Sequence, residues 1–232
     1  MTLILVLLAL TGLLFIALAI YPGELSWLSP ALHARLYDST AEKYEEKWVR
    51  HDYSFYDQIV RQSCSLVTDT YKERLLVLDL CAGTGRATEV MASELPAQTQ
   101  FLCVDASSGM LNALENRLLK PAKASAQIHI ICDRAGHWLG RSEARFHLVA
   151  MMECSEFLPG FPELVENLSQ HLIPGAVVVT TRPAGLFGWL FLGRSQHPKS
   201  YYRLFARNGF FLISDNPWRN RYRLVIWQFN GH

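Results

Sequence analysis

An acid at the end of an apolar run, a glycine-rich turn and a second acid form the segment of this sequence best suited to bind a ligand. Asp79 ends the run that begins at Val77, and Cys81-Ala82-Gly83-Thr84-Gly85 follows. Glycine adopts positive φ and lets a ligand approach the backbone closely. Asp105 ends the next apolar run, where a carboxylate can accept both hydroxyls of a ribose. The spacing predicts a ribose-containing ligand.

The elements that must position these residues alternate between strands and helices from residue 74 onward. Short apolar runs predict buried strands, and amphipathic segments between them predict helices. The strands are expected at residues 75–78, 100–104, 128–131, 146–151 and 176–180, and the helices at 86–95, 107–119 and 162–172. Such alternation predicts a parallel sheet covered by helices on both faces.

The end of the chain departs from this alternation. A helix is expected at residues 201–208, followed by strands at 210–214 and 222–229. Only a polar turn, Asp215-Asn216-Pro217, and a few further residues separate the two strands. Because a crossover helix does not fit in that length, the two strands should pair antiparallel.

Composition excludes several classes of protein. The chain has 232 residues, half of them hydrophobic, with 22 basic and 21 acidic residues. This length suits one domain with a real core, and the composition excludes a disordered or collagen-like chain. Because the net charge is close to zero, the chain shows no excess of basic residues of the kind that binds nucleic acid. The five cysteines show no CxxC spacing, so a zinc site is not expected.

An uncharged run from Leu3 to Ile20 precedes all of these elements. Its 18 residues would span roughly 27 Å as a helix, which just crosses a thin bilayer. We expect a transmembrane anchor through residues 3–20; the alternatives are a cleaved signal peptide, suggested by Ala17-Leu18-Ala19, and a buried core helix. Basic residues follow the run, which favours a single-pass protein with a cytoplasmic C-terminal domain. The expected organisation is an anchor at 1–23, a helical cap at 24–70 and the main domain at 71–232.

Here the motifs resemble those of class I S-adenosylmethionine-dependent methyltransferases. VLDLCAGTGRAT resembles their first motif, FLCVDASSGML the second strand, IHIICDRA the third, FHLVAMMECSEFLP the fourth and HLIPGAVVVTTRP the fifth. The resemblance covers roughly residues 35–232 and is greatest to the small-molecule branch, similar to quinone-biosynthesis enzymes. It implies a Rossmann-like, seven-stranded, mostly parallel sheet with a reversed last strand. A dinucleotide-binding oxidoreductase is disfavoured because Thr88 replaces the third glycine of GxGxxG.

The resemblance implies S-adenosylmethionine as the cofactor and assigns residues to it. Asp79 would hold the amino group, Asp105 the ribose and Asp133 the adenine amino group. Met152 would face the sulfonium. The cofactor-binding residues implied are Asp79, Ala82, Gly83, Gly85, Asp105, Ala106, Met110, Asp133, Arg134 and Met152.

The acceptor is less clearly indicated. Substrate contacts are expected from Tyr37, Tyr44, Glu153 and Trp189; no general base is identified, and no metal is expected. Tyr37-Asp38 resembles an element that caps the cofactor in the related enzymes. His147, where the family often has Asp, is interpreted as a structural variant.

The apolar stretch GLFGWLFLG from Gly185 predicts either a substrate-side lid or loop that dips into the membrane, or a buried connection. The main hypothesis is methyl transfer to a small, lipophilic acceptor at a membrane. A non-catalytic module of the same fold and a nicotinamide-dependent oxidoreductase are the alternatives.

Overall fold

The computed structural model describes residues 6–14, 29–48, 53–72, 74–119, 127–188 and 197–231. Seven strands form one sheet in the order β3-β2-β1-β4-β5-β7-β6. The strands are β1 Leu76–Leu80, β2 Gln100–Asp105, β3 Gln127–Cys132, β4 Phe146–Met151, β5 Leu172–Pro183, β6 Phe210–Trp218 and β7 Tyr222–Phe229. β1 to β5 pair in parallel, whereas β7 runs antiparallel to both β5 and β6. The expected mostly parallel sheet with a reversed last strand is therefore confirmed.

Helices follow or precede these strands in the order that the sequence predicts. They are α1 at residues 6–14, α2 Pro30–Trp48, α3 Ser54–Thr70, α4 Arg86–Glu94, α5 Ser108–Leu118, α6 Ala135–Leu139, α7 Phe161–Gln170, α8 Gly185–Gly188 and α9 Pro198–Arg207. The sequence analysis does not predict α6, because five residues are too few to show a helical period.

The sheet separates two apolar cores because successive side chains of a strand point to opposite faces. In β5, Val177 and Val179 join the core beneath α3, α4 and α5, whereas Val178 joins the core beneath α7 and α9. Tyr56 and Val60 of α3 are buried in the first core. The central strands are buried on both faces, which explains why their sequences are continuous apolar runs.

The predicted turn at Asp215-Asn216-Pro217 is wrong. These residues extend β6, and Asp215 pairs in register with Val225. The carboxylate of Asp215 accepts a hydrogen bond from Arg223 Nε at 2.6 Å across the hairpin, so a charged pair keeps a polar segment in the sheet. The chain turns instead at Arg219 and Asn220, both of which have φ of 54°.

The predicted anchor lies only partly within the described residues. Residues 6–14 are helical and exposed, whereas residues 3–5 and 15–20 lie outside the described part. Among the described residues, no helix combines the length and the apolar character that a membrane span needs. The division of the chain at residues 23 and 70 stays a prediction.

His147 lies in the second position of β4, at the end of the strand away from the carboxyl edge. Its Nδ1 accepts a hydrogen bond of 3.1 Å from the backbone N–H of Leu76, and its ring contacts the edge of Tyr71. Burial lowers the pKa of His147 below its ordinary value of 6.5. A neutral imidazole therefore holds the start of β1 to β4.

We expect His147→Phe to destabilise the protein by about 1 kcal/mol at pH 7.5, because Leu76 N–H loses its acceptor while the contact with Tyr71 is kept. The difference should shrink as pH falls, since protonated wild-type His147 can no longer accept that bond. Urea denaturation of both proteins at pH 7.5 and pH 5 measures this. A difference that does not change with pH would contradict the role given to Nδ1.

Candidate functional site

A cavity of about 380 Å3 lies at the carboxyl ends of β1, β2 and β4. Open parallel sheets bind ligands at this edge, where strand order reverses on either side of the first strand. Its walls come from the turn after β1, the loops after β2, β3 and β4, and helices α2 and α3. The cavity is lined by 11 of the 14 site residues expected from the sequence: Asp79, Ala82, Gly83, Asp105, Ala106, Met110, Arg134, Met152, Tyr37, Tyr44 and Glu153.

The glycine-rich turn is a tight left-handed segment. Cys81, Gly83 and Gly85 have φ of 63°, 54° and 81°. A Cβ on Gly83 would meet no atom within 4 Å, so its open side is left for a ligand. A Cβ on Gly85 would lie 2.6 Å from Leu114 Cγ. Gly85 is therefore needed for packing between α4 and α5 and does not line the cavity.

Asp79 is a buried acid held by α4. Its Oδ2 accepts hydrogen bonds from Thr88 N at 3.1 Å and from Thr88 Oγ1 at 2.6 Å. Burial raises the pKa of Asp79 to about 6, although both bonds from Thr88 favour the ionised form. Thr88, which replaces the third glycine of a dinucleotide site, is thus the partner of this acid. A buried carboxylate beside a cavity is suited to bind a cationic ligand group.

Asp105 connects the turn to the loop after β2. Its Oδ2 accepts a hydrogen bond from Gly83 N at 2.9 Å, and its Oδ1 accepts one from Ser107 N at 2.8 Å. Burial raises the pKa of Asp105, while these backbone bonds act to lower it. Each oxygen can accept a further hydrogen bond, and Asp105 lines the cavity, so the side chain is available to accept ribose hydroxyls.

Asp38 fixes the covering helix α2 onto the start of α5. Its Oδ1 accepts hydrogen bonds from Gly109 N at 2.8 Å and Ser107 Oγ at 2.7 Å, and a longer one of 3.4 Å from Ser108 Oγ. The bond from Gly109 and then that from Ser107 lower the pKa of Asp38. A Cβ on Gly109 would lie 2.8 Å from Asp38 Cα. Glycine is therefore required for this close approach.

The residues after β3 form the exposed side of the cavity. Asp133 accepts hydrogen bonds from Arg134 N at 2.7 Å and lies 2.9 Å from His137 Nδ1. Desolvation acts to raise the pKa of Asp133, but the bond from His137 and then that from Arg134 outweigh it, so the pKa is lowered. Arg134 and His137 line the cavity and Asp133 does not. The adenine contact assigned to Asp133 stays a prediction.

The loop after β4 carries Glu153, which like Cys81 has a positive φ although it is not glycine. Glu153 has φ of 51°, and its N–H donates to Thr181 Oγ1 of β5 at 2.5 Å. Positive φ is unfavourable for a residue with a side chain and is retained where neighbouring contacts fix it. Met152 is buried beside it, and both line the cavity.

An aromatic group from α2 and the loop after β4 encloses the cavity opposite the turn. We call His33, Tyr37, Tyr44 and Phe157 the aromatic wall. The His33 ring lies 4.9 Å from Tyr37 and 4.8 Å from Phe157, and Tyr37 lies 6.1 Å from Tyr44. Rings at these distances support one another's orientation. Trp189, which the sequence analysis assigned to the substrate, lies outside the described residues.

Several cavity residues were not identified from the sequence. His33 and Phe157 belong to the aromatic wall, and Tyr53, Tyr56 and Arg86 line the end next to the turn. Tyr53 and Tyr56 occur three residues apart before an apolar helix face, a spacing that could have indicated a shared surface. Nothing in the sequence marks Phe157.

We expect Asp38→Ala to loosen α2 and weaken the binding of S-adenosylhomocysteine, the demethylated product of the predicted cofactor, by about three- to tenfold. Gly109→Ala should act similarly, because its Cβ displaces the Asp38 backbone. Calorimetry and limited proteolysis within residues 29–48 measure the two effects. Ser108→Ala, which removes only the 3.4 Å contact, is the matched control. Equal proteolysis of all four proteins would show that Asp38 does not hold α2.

Asp79→Asn should stabilise the ligand-free protein and weaken cofactor binding. Because the pKa of Asp79 is about 6 in the folded protein against 3.8 ordinarily, the folded state holds the proton more tightly, and stability is lost as pH rises through 6. Asparagine avoids that loss, so we expect it to add about 1–3 kcal/mol at pH 8 and little at pH 4. Affinity for S-adenosylhomocysteine should fall at least about tenfold. Destabilisation at pH 8 would instead mean that the charge of Asp79 supports the fold.

The comparisons with known proteins agree with this geometry. Residues 77–175 match the family described as methyltransferase domain. The fold is similar to magnesium protoporphyrin IX methyltransferase from Synechocystis PCC 6803 with bound S-adenosylmethionine, at 14% identity and a TM-score of 0.64, over 87% of this chain and 98% of that one. It is equally similar to an S-adenosylmethionine-dependent methyltransferase from Clostridium acetobutylicum ATCC 824, at 14% identity and a TM-score of 0.64, over 84% of this chain and all of that one. A search of curated proteins gave no significant match.

The residues present fit the cofactor that these findings imply. An acid placed for a ribose, Asp105, a buried acid suited to an ammonium group, Asp79, and an open glycine, Gly83, line the same cavity. Residues 77–175 match a methyltransferase domain, and Asp79, Gly83 and Asp105 within it fit S-adenosylmethionine as its cofactor.

Proposed function

We propose that the protein transfers the methyl group of S-adenosylmethionine to a small, lipophilic acceptor that binds against the aromatic wall, beside a membrane. The observation that carries the proposal is the continuity of the cavity. The turn that would hold the cofactor and the wall formed by Tyr37, Tyr44 and Phe157 line the same space. An acceptor on the wall is therefore in reach of a cofactor on the turn.

The composition of the wall supports a lipophilic acceptor. Ala34, Leu158 and Pro159 line the cavity together with the rings of Tyr37 and Phe157. Burial of apolar surface against such side chains is favourable, and aromatic rings bind planar groups well. A quinol, phenol or thiol with an apolar substituent has this chemistry, in agreement with the resemblance to quinone-biosynthesis enzymes.

The position of α2 supports a membrane location. His33 and Ala34, in the first turns of α2, line the cavity, and only 12 residues separate the end of the uncharged run Leu3–Ile20 from His33. Twelve residues span at most about 40 Å. An anchor at residues 3–20 would keep this side of the cavity near the bilayer, where a lipophilic acceptor is concentrated. We place the methyltransferase domain on the cytoplasmic side, because basic residues follow the run.

The protein's part in the reaction is mainly positioning. The bound cofactor supplies a methyl group that its sulfonium makes electrophilic. The aromatic wall orients the acceptor so that its nucleophilic atom lies in line with that group, and closure by α2 excludes water. Glu153, Tyr37, Tyr44 and His33 are polar groups that line this cavity and are available to contact the acceptor. A phenol or thiol that ionises readily needs no further base.

The acceptor class is tested with the full chain in detergent, radiolabelled cofactor, and 4-hexylphenol and phenol as probes. We expect transfer to 4-hexylphenol with a lower KM than to phenol. Phe157→Ala should raise the KM for 4-hexylphenol by roughly tenfold, because about one ring of apolar surface is lost. Its affinity for S-adenosylhomocysteine should not change. Phe211→Ser, on an exposed part of β6, is the control.

A KM that does not depend on the hexyl group, or equal effects of the two variants, would contradict a lipophilic acceptor. The membrane location is tested separately by flotation with liposomes. The full chain should float, and a chain beginning at Ser29 should not.

A further inference from the structure

Two of the five cysteines lie together at the cavity. Cys81 follows β1, Cys154 follows β4, and both line the cavity. β1 and β4 are neighbouring parallel strands, with Asp79 beside Ala150, so the two cysteines leave the sheet at the same edge. The thiol of Cys81 interacts directly with that of Cys154. Two thiols in contact beside a cavity that admits a small reagent can be joined by oxidation.

The backbone is left-handed at both turns that bring these thiols together. Cys81 has φ of 63°, and Glu153, directly before Cys154, has φ of 51°. Such angles are unfavourable for residues other than glycine, so neighbouring contacts must hold them. Cys81 N–H donates to Val104 O at 2.8 Å. Glu153 N–H donates to Thr181 Oγ1 at 2.5 Å. Because glycine would fit the position of Cys81 without strain, the presence of a cysteine there indicates a use for its sulfur.

The other three cysteines are not placed to form such a pair. Cys64 and Cys103 are buried, and burial raises the pKa of both thiols, that of Cys64 to about 12. Thiols react with oxidants as thiolates, so both are protected. Cys132 is exposed at the end of β3. Because β2 lies between β3 and β1, Cys132 is two strands away from Cys81.

Cys81 and Cys154 differ in exposure, which gives them different parts in an oxidation. The contact with Cys81 and then burial raise the pKa of Cys154, and the charges of Glu156 and Asp105 raise it further. Cys154 therefore stays a thiol at neutral pH and is 5% exposed. Cys81 is partly exposed and lines the cavity. A reagent in the cavity reaches Cys81 first, and Cys154 is placed to react with the product.

We propose that Cys81 and Cys154 form an oxidative modification site, at which a hydroperoxide converts the two thiols to a disulfide. The sulfur of Cys81 attacks the hydroperoxide, keeps one oxygen as a sulfenic acid and releases an alcohol, or water from hydrogen peroxide. The sulfur of Cys154 then attacks the sulfur of Cys81, and the oxygen leaves as water with the thiol proton. The two cysteines lose two electrons and two protons, and the hydroperoxide is reduced.

The disulfide would change the turn that faces the cofactor. Bonded sulfurs lie about 2.0 Å apart, closer than two thiols in contact, so the bond draws together the turn after β1 and the loop after β4. Cys81 is two residues before Gly83, whose N–H donates to Asp105. A shift of Cys81 therefore moves the donor that orients the acid assigned to the ribose. We expect the reduced protein to bind the cofactor and the oxidised protein to bind it weakly.

Peptide mass analysis and calorimetry test the site on the full chain in detergent. The protein is treated with hydrogen peroxide, catalase removes the excess, and affinity for S-adenosylhomocysteine is measured before and after dithiothreitol. Trypsin releases residues 75–86, which contain Cys81. We expect this peptide to be joined to the one that contains Cys154, and affinity to fall at least about tenfold. Dithiothreitol should restore the affinity, whereas it does not reverse oxidation of Met152, which also lines the cavity.

Matched variants show which thiols are responsible. Cys81→Gly suits the φ of 63°, and Cys154→Ala keeps a small apolar side chain. Each of these variants should bind S-adenosylhomocysteine equally before and after dithiothreitol. Cys132→Ser removes the exposed thiol and should keep the wild-type response. Because every comparison is between two forms of one variant, a change in its basal affinity does not affect the result.

The proposal is overturned if peroxide-treated wild type gives no peptide that joins Cys81 to Cys154. A loss of affinity in Cys81→Gly or Cys154→Ala that dithiothreitol reverses would assign the response to another thiol. A joined peptide with unchanged affinity would overturn the effect on the cofactor. The readouts are peptide masses and cofactor binding, so these results do not depend on whether the acceptor proposed above is correct.

Discussion

Ser107 is the point at which the sheet, the ligand cavity and the covering helix are connected. Its N–H donates to Asp105, its Oγ accepts from Met110 N as the cap of α5, and the same Oγ donates to Asp38 of α2. One residue thus orients the ribose acid, begins a helix and holds the helix that covers the cavity. The positions of the glycine-rich turn and of the aromatic wall both depend on this connection, since Asp105 also accepts from Gly83 N.

The cavity combines strain and charge that the fold alone does not need. Cys81 and Glu153 keep positive φ without being glycine, and Asp79 is buried at a raised pKa. Each is fixed by a neighbour from the core: Asp79 by Thr88, Glu153 by Thr181 of β5, and Cys81 through its backbone N–H, which donates to Val104 O. Proteins retain such unfavourable features where a ligand uses them. Their arrangement around one space is the strongest physical sign that this cavity is the functional site.

The sheet could be predicted from the sequence because buried parallel strands are continuous apolar runs. β4, predicted at residues 146–151, was found at Phe146–Met151. The prediction was wrong at Asp215-Asn216-Pro217: polar residues indicate a turn, but the cross-strand pair of Asp215 with Arg223 keeps them in β6. The alternation of polar and apolar residues describes a single strand, so it does not reveal an ion pair with a residue on the next strand.

Site residues could be predicted from the sequence where a short segment of the chain defines their position. Asp79, Gly83 and Asp105 lie at strand ends that the apolar runs define, and so the pattern located them. The contact between Asp38 and Gly109 joins residues 71 positions apart, and no spacing rule indicates it. Arg219 reaches Tyr53 from the last hairpin, whose turn the sequence analysis misplaced. Contacts of this kind are set by tertiary packing alone.

The connection through Ser107 also links the two halves of the proposed reaction. Asp38 and Tyr37 are neighbours in α2: Asp38 is bonded to the start of α5, and Tyr37 belongs to the aromatic wall. A ligand on Asp105 would bind the carboxylate that holds Ser107, and Ser107 in turn holds Asp38, the neighbour of Tyr37. Binding of the cofactor and formation of the acceptor wall would then favour each other, because both need α2 in one position. The aromatic wall would then be fully formed only when the methyl donor is bound.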